Sequence, residues 1–465
     1  MKQNYKRLIQ NIGVFAIANF AARFLSFLIL PLYTYFLTTE EYGTIDLVNT
    51  AVQLLFPVFS LAITDGVMRF AISDKSDSHK IFQIGKVVIT VGFIPLIVAS
   101  IIANYFINNT FIIIAFIFIY ILQAYNSLFA NYLKALDKTK LMASISTSIS
   151  IFILFLNVLM VAWLRLGLNG YLISMVIGNF IGFIMYLFLG KLTHEFFDFG
   201  FPVDKKLYSR MLSYTIPLIP NAIFWWINSS LDRWILTIFS SLSMVGLYAC
   251  ANKIPSILAT INSIFSQAWN LSLFQSSDAE RFDFFKRVYL IFDETMFCCS
   301  LGIIVFSEVI GNIMFSGHFY SAWVIVPVLT CGVYFNSLNG VIGAIFTAQK
   351  STKEIFTTTL IGSIINGLLN IPFVLIWGGI GAAIATFLSY FVVWFMRILK
   401  VKKKYNVDLF KINCIVKNIL LLITTIIVIY QKSFVLPLIM ALPYFIYYLF
   451  SMFKIYRAKR GASKN

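Results

Sequence analysis

The sequence predicts an all-α polytopic membrane protein, and three observations support that fold class. Of the 465 residues, 60% are hydrophobic and only 12% are charged, and the mean hydropathy is +0.86. A soluble domain of this length usually has about twice that charged fraction and cannot bury so much apolar surface. Second, apolar runs of about 20 residues, long enough to cross a membrane as helices, recur along the whole chain. Third, the sequence contains an internal repeat.

The apolar runs predict about 14 transmembrane helices. The connections between them are short, so no loop is large enough to form a separate folded domain. The predicted spans are residues 11–37, 44–70, 84–107, 111–133, 141–163, 171–190, 213–238, 244–269, 288–315, 323–347, 355–377, 379–399, 413–430 and 434–453.

The orientation follows from the Lys and Arg residues, of which there are 36. Most of them fall at alternate connections, with Arg397 and Lys417 counted among the loop residues. Cytoplasmic loops are enriched in such residues, so both termini are predicted to be cytoplasmic. The net charge of +17 then faces the cytoplasm and its anionic leaflet, and no nucleic acid is needed to explain it.

Two pairs of segments reveal the repeat. "FLTTEEYGTIDLVN" (36–49) aligns without a gap to "FSSLSMVGLYACAN" (239–252), 203 residues later. Thr-Lys pairs at 139–140 and 352–353 are each followed by an asparagine, Asn157 or Asn370, and then by a glycine turn. Matches six spans apart predict two parallel six-helix lobes. The predicted domains are 1–190, a cytoplasmic linker at 191–212, a second lobe at 213–401, and two appended spans with a basic tail at 402–465.

Several predicted spans carry polar residues on one face. Such a stripe faces other helices, with which it forms hydrogen bonds, or a water-filled cavity, and the pattern leaves both alternatives open. The stripes comprise Asn49, Gln53, Ser60 and Thr64 in span 2, Asn252, Ser256, Ser263 and Gln267 in span 8, Asn19 in span 1, and Asn221 and Asn228 in span 7. Pro217 and Pro220 each remove a backbone donor and are predicted to kink or break span 7.

Three cations lie inside predicted spans: Arg23, Arg233 and Lys253. A mid-span arginine costs about 2.5–3.5 kcal/mol to insert. Acids such as Asp46, Asp65 or Asp232 could neutralise these cations structurally. Alternatively, the cations bind an anionic ligand, and the planar fork of arginine suits phosphate. The five cysteines and three histidines show no metal-ligand spacing, so no metal or other cofactor is predicted.

The chain resembles the Wzx-type polysaccharide flippases, which belong to the MOP superfamily together with MATE exporters and the lipid II flippase. The resemblance is carried by "LIQNIGVFAIANFAARFLSFLILPLYTYFLTTEEYGTIDLV", "SYTIPLIPNAIFWWINSSLDRWIL" and "SMVGLYACANKI". It implies a V-shaped pair of lobes around a central cavity that opens alternately to each side. It also implies transport of polyprenyl-pyrophosphate-linked oligosaccharides from the inner to the outer leaflet for O-antigen or capsule synthesis.

The resemblance implies roles for individual residues. Arg23, Arg233 and Lys253 would contact the pyrophosphate, and the cavity lining would comprise Asn19, Asn49, Gln53, Asn221, Asn228, Asn252 and Ser256. Asp65, Asp232 and Glu308 are candidates for coupling to a proton or sodium gradient, or for charge pairing. The implied partners are membrane lipids, a polysaccharide polymerase and chain-length machinery, and the implied location is a bacterial cytoplasmic membrane.

Three other functions compete with this interpretation. A MATE-like antiporter of drugs or metabolites would favour acidic groups in its cavity, whereas the intramembrane charges here lean basic. A lipid II flippase needs the same cationic cavity and is harder to separate. A polysaccharide polymerase or ligase would usually present a large outer loop with catalytic residues. No catalytic triad, metal-binding pair or nucleotide-binding loop stands out, so the sequence predicts transport without catalysis.

Overall fold

The computed structural model describes residues 27, 29–198, 204–274, 278–349, 351–410, 412–431 and 435–461. Nearly all of these residues are helical and none of them lies in a β-strand, which confirms the predicted all-α class. The first helices are α1 (Leu30–Phe36), α2 (Thr39–Phe59), α3 (Ile63–Ser73), α4 (Ser78–Ile107), α5 (Thr110–Ala135), α6 (Thr139–Asn157), α7 (Gly167–Phe188), α8 (Thr193–Phe197), α9 (Lys205–Thr215) and α10 (Leu218–Phe239).

The remaining helices are α11 (Leu242–Lys253), α12 (Ser256–Phe274), α13 (Asp278–Val305), α14 (Ser307–Met314), α15 (Val326–Ala348), α16 (Thr352–Tyr405), α17 (Ile412–Gln431) and α18 (Val435–Gly461). A π-helical segment, Val158–Trp163, prolongs α6, and a 3₁₀ segment, Gly317–Val324, precedes α15.

The chain forms two compact units. The N-terminal unit is Phe36–Trp234, and the C-terminal unit combines Ile235–Asn465 with the described residues before Phe36. In the C-terminal unit, Thr34 Oγ1 donates a hydrogen bond of 2.8 Å to the Met314 carbonyl, which attaches α1 to the end of α14. The predicted domain boundaries at 190, 212 and 401 stay a prediction.

Eight helices among the described residues are long and apolar enough to cross a membrane, and ten spans result if each of two bent helix pairs forms one span. The protein is therefore a multi-pass membrane protein, while the number 14 stays a prediction. One of the eight, within α16, is in fact two helices that meet at Gly378, where φ is +55° and ψ is −128°. Only glycine adopts this conformation without strain. A Cβ at Gly381 would lie 1.9 Å from the Phe373 carbonyl oxygen, so the two arms of α16 meet without a loop.

The first repeated segment begins with equivalent caps. The Thr38 hydroxyl accepts a hydrogen bond from the Glu41 N–H at 3.2 Å, and 203 residues later the Ser241 hydroxyl accepts one from the Met244 N–H at 3.2 Å. Each side chain satisfies a backbone donor that the helix itself leaves free.

The two helices that follow are both broken, with bends of 55° between α2 and α3 and 47° between α11 and α12. The breaks fall at different places, after Phe59 and after Lys253, so the repeat preserves the start of each helix and not its bend.

The second repeated segment also has matching structure. Thr139 and Thr352 begin α6 and α16. Asn157 and Asn370 are both buried, with 1% and 0% of their surface exposed. Positive φ angles follow at Arg165 (53°) and Gly167 (55°) in the first segment and at Gly378 (55°) in the second. Gly167 is the first residue of one predicted glycine turn, and Gly378 directly precedes the other.

The two prolines of predicted span 7 behave differently. Helix α9 ends at Thr215 and α10 begins at Leu218, so the predicted break occurs at Pro217. Pro220 causes no break because it lies in the first turn of α10, where an N–H would have no intrahelical acceptor.

Candidate functional site

Two of the predicted site residues, Arg23 and Asn19, lie outside the described residues. The other predicted residues are distributed over both units. Their roles in binding or coupling stay predictions, but the structure gives the surroundings of each one.

Arg233 is ion-paired in the N-terminal unit. Its Nε lies 2.5 Å from Asp46 Oδ2, and the two side chains are 11% and 20% exposed. The contact is ionic, since the Nε–H is not aligned with that oxygen for a hydrogen bond. Arg233 Nη1 also donates to the Ser229 carbonyl at 2.7 Å. Asp46 thus neutralises this arginine. Neutralisation by an acid is one of the two alternatives that the sequence leaves open for the intramembrane cations.

The polar stripe of α2 connects that helix to its neighbours. Asn49 Nδ2 donates to the Tyr171 hydroxyl of α7 at 3.2 Å, and Trp226 Nε1 of α10 donates to the Thr50 carbonyl at 2.8 Å. One turn beyond Asn49, Gln53 is exposed. The stripe therefore combines interhelix hydrogen bonds at Asn49 with an accessible amide at Gln53.

Lys253 is the last residue of α11, at the break before α12. The side chain is half-buried, and none of the described acids forms an ion pair with it. The Ser256 hydroxyl donates a 2.5 Å hydrogen bond to the Lys253 carbonyl, which the break removes from the helical ladder. Asn252 is also half-buried and Ser256 is exposed. This junction of the C-terminal unit combines a cation without a described counter-ion, irregular backbone and small polar groups.

The two predicted polar residues of α10 differ in their surroundings. Asn221 is exposed. Asn228 is half-buried, and its Nδ2 donates to the Phe224 carbonyl at 2.9 Å. This hydrogen bond joins Asn228 to its own helix and not to a neighbouring one.

The three predicted coupling acids lie in unlike environments. Asp65 is exposed in the first turn of α3. Asp232 is 7% exposed on α10. Glu308 lies in the first turn of α14, where the Tyr320 hydroxyl is 3.4 Å from its Oε1. Asp65 and Asp232 belong to the N-terminal unit, and Glu308 belongs to the C-terminal unit.

The structure contains a charged cluster that the sequence reasoning missed. Lys417 of α17 contacts two consecutive acids of α13, Asp293 and Glu294, and its Nζ lies 3.1 Å from Glu294 Oε1. The count of basic loop residues assigns Lys417 to a cytoplasmic connection. That assignment is wrong, because the side chain of Lys417 is only 5% exposed. The sequence signal was available: opposite charges interrupt two apolar runs, at 293–294 and at 417.

Arg397 was also assigned wrongly to a loop. It lies within the second arm of α16 and is only 6% exposed. Its guanidinium donates to the Asn339 carbonyl at 2.6 Å and to the hydroxyls of Thr358 and Thr359 at 3.1 and 3.0 Å. The group therefore joins the two arms of α16 to α15 through neutral acceptors.

Among the described residues, no group of three or more His, Cys, Asp or Glu side chains could hold a metal ion. The described part of the chain contains buried cations, ion pairs and polar contacts between helices. These are the groups with which a membrane protein binds and moves charged solutes.

The fold is similar to those of two solved membrane proteins. It matches the lipid II flippase MurJ in an inward-closed conformation, with a TM-score of 0.65 and 18% identity over 96% of this chain and 99% of that one. It also matches an inward-facing multidrug resistance MATE family transporter of the MOP superfamily, with a TM-score of 0.66 and 11% identity over 84% of this chain and 99% of that one. At such identities the likeness concerns the fold alone.

The sequence defines the family. Residues 8–276 match the family described as polysaccharide biosynthesis protein. The chain belongs to that family, which confirms the resemblance to the polysaccharide-transporter branch.

Two curated relatives come from archaea. An uncharacterized membrane protein of Methanocaldococcus jannaschii is 26% identical over 66% of this chain, and a probable low-salt glycan biosynthesis flippase of Haloferax volcanii is 27% identical over 39%. The chain spans 65% and 39% of the lengths of these two relatives.

Proposed function

We propose that this chain translocates polyprenyl-pyrophosphate-linked oligosaccharide units from the inner to the outer leaflet of a cytoplasmic membrane, for the synthesis of surface polysaccharide. The observation that carries the proposal is the match of more than half of the chain to the polysaccharide biosynthesis family. The fold of a lipid II flippase and the name of the haloarchaeal relative, a probable glycan flippase, point in the same direction.

The chemistry of the cargo explains why cations would be needed. A pyrophosphate is a concentrated anion and cannot cross hydrocarbon without counter-charge. The polyprenyl tail, in contrast, can remain in lipid while the head group crosses by alternating access. We assign the contacts with the head group to Arg23, Arg233 and Lys253. The process makes and breaks no covalent bond, so the protein would act as a transporter and not as an enzyme.

The two described cations would contribute differently. Lys253 forms no ion pair with a described acid and could bind phosphate oxygens directly. Arg233 is held by Asp46 and would have to exchange that carboxylate for phosphate. Arginine is suited to such an exchange because its fork binds carboxylate and phosphate in the same geometry.

Deletion of the gene in its native host tests the proposal. We expect loss of surface polysaccharide together with accumulation of the lipid-linked oligosaccharide on the cytoplasmic side, and full rescue by the wild-type gene. Dye efflux is measured in the same strain. Intact polysaccharide with increased dye retention would reject the flippase proposal and favour the drug antiporter.

A further inference from the structure

The cluster formed by Asp293, Glu294 and Lys417 has a closed hydrogen-bonding pattern. Lys417 Nζ contacts Asp293 Oδ2 and Glu294 Oε1. The Tyr334 hydroxyl of α15 donates to Asp293 Oδ1 at 2.5 Å, and the Tyr444 hydroxyl of α18 donates to Glu294 Oε2. Each of the four carboxylate oxygens therefore has a donor, and the donors come from three different helices.

The two acids differ in their access to the surroundings. The side chains of Lys417 and Asp293 are 5% and 3% exposed, so these two form a buried ion pair. The side chain of Glu294 is 33% exposed. Glu294 is thus the most accessible acid of the cluster.

The described groups around the cluster provide no further positive charge. Helix α12 has no charged residue, and Glu308, the acid of α14, accepts from Tyr320. On α15, the titratable groups are Tyr334 and Cys331, and Cys331 contacts Thr425. The other titratable groups that face the cluster are neutral in their ordinary forms: Tyr289 and Cys298 on α13, Cys414 on α17, and Tyr448 on α18.

Among the described groups, one ammonium and two carboxylates leave this cluster with one excess negative charge. A buried charge without compensation is costly, and the simplest compensation is a proton. We propose that Glu294 is a reversible proton-binding site of the C-terminal unit, at which uptake of a proton makes the cluster neutral.

Protonation of Glu294 changes the attachment of α17 and α18 to α13. Hydrogen bonds to an ionised carboxylate are roughly twice as strong as those between neutral groups. When Glu294 takes up a proton, its contact with the neutral Tyr444 hydroxyl loses that charge assistance, and its contact with Lys417 keeps only the charge of the ammonium. Asp293 keeps Lys417 in place, so the change loosens α18 in particular.

The inference deepens the proposed function. Its consequence for transport rests on that function, whereas proton binding at Glu294 does not. A group that binds a proton and alters helix contacts is what coupling of transport to a proton gradient requires. The proposal places this group at Glu294 instead of Asp65, Asp232 or Glu308.

Infrared difference spectroscopy of the purified full-length protein in lipid nanodiscs tests proton binding without any transport assay. On acidification, we expect the carbonyl band of a protonated carboxyl group in the wild type, and its loss in Glu294→Gln. The matched control is Glu308→Gln, which removes another tyrosine-bonded acid of the same unit and should retain the band. Persistence of the whole band in Glu294→Gln would overturn the proposal.

Tyr444→Phe is a second variant, which keeps the test decisive if Glu294→Gln does not fold. It removes one charge-assisted donor to ionised Glu294, so the midpoint of the band should rise by about one pH unit. An unchanged midpoint would reject Glu294 as the proton site.

Flipping in proteoliposomes then examines the consequence for transport. We expect wild-type flipping to respond to an imposed pH gradient, and Glu294→Gln to retain flipping without that response. If Glu294→Gln keeps the response, coupling through Glu294 is rejected. If the wild type flips no lipid-linked oligosaccharide at all, the proposed function fails, whereas the infrared result on Glu294 stands by itself.

Discussion

Lys417 lies at a place where a lone ammonium would be strongly disfavoured, and it is stable there because Asp293 and Glu294 both contact it. Removing one partner of a buried ion pair leaves the other partner uncompensated. The cluster is therefore as sensitive to loss of its cation as to loss of an acid.

Lys417→Met should lower the free energy of unfolding by about 3–5 kcal/mol, because two adjacent carboxylates then remain without an ammonium. Thermal or denaturant unfolding in detergent measures the change. Lys402→Met is the matched control, since Lys402 pairs with Asp408 at 3.1 Å where both side chains are about half exposed. The hydrogen bond from Lys402 lowers the pKa of Asp408, outside the membrane spans. This exposed pair should contribute nothing measurable, and equal effects of the two substitutions would contradict the prediction.

Lys253 allows a direct test of the proposed contact with pyrophosphate. Lys253→Met keeps the length of the side chain and removes its charge, so flipping of a pyrophosphate-linked substrate should fall at least tenfold. Lys253→Arg keeps the charge and should retain most of the activity. Rates in proteoliposomes, normalised to the amount of folded protein, provide the measurement. Equal loss in both variants would indicate a steric role for this side chain.

Among the helices, α16 has the most restrictive turn. Its arms join at Gly378, where φ is positive and Met244 Cε lies 3.3 Å from the position of a Cβ. A strained backbone of this kind costs about 1–3 kcal/mol when a residue with a Cβ is forced to adopt it.

Gly378→Ala should therefore destabilise the protein by about 1–3 kcal/mol. Gly367→Ala in the same helix is the control, because a Cβ there meets no atom within 4 Å. Alanine is favoured over glycine in a helix interior by about 0.5–1 kcal/mol, so this control should be neutral or stabilising. Melting temperatures of both variants test the difference, and destabilisation by Gly367→Ala alone would refute the argument.

The sequence predicted one interruption of a helix, the break at Pro217, because a proline removes a backbone donor. The N-caps Thr38 and Ser241, whose hydroxyls satisfy free backbone donors, were not predicted. The break after Phe59 and the π-helical segment after Asn157 were not predicted either.

The site was less predictable than the fold, for a physical reason. Lys417 and Arg397 stand near the ends of apolar runs, where basic residues usually reach the membrane surface. Their actual partners are distant in sequence, and Lys417 and Asp293 are 124 positions apart. Such contacts arise only when the helices pack, so a count of loop charges cannot reveal them.

At the scale of the whole molecule, orientation in the membrane is still a prediction from charge. Lys138 and Arg165 lie just before α6 and just after its π-helical extension, and both are exposed. The 25-residue segment Thr139–Trp163 between them is a candidate span. The two residues should therefore lie on opposite sides of the membrane.

Single cysteines at these two positions, in a variant without the five native cysteines, test the orientation. A maleimide that cannot cross the membrane should label Arg165→Cys in intact cells, and Lys138→Cys only after the membrane is permeabilised. The reverse pattern would place the termini outside and would reverse the predicted direction of transport.

The loop-free turn at Gly378 has a consequence for engineering of the chain. A surface loop can accommodate an inserted residue by changing its conformation. The turn at Gly378 cannot do so, because its two arms are in contact on both sides of the glycine. An insertion here extends a helix instead, so that it shifts the following arm by about 1.5 Å and rotates it by roughly 100°. Arg397 would then point away from Asn339 and Thr358. Epitope tags and split sites should be placed elsewhere, since a single added residue at this position changes the register of a whole arm.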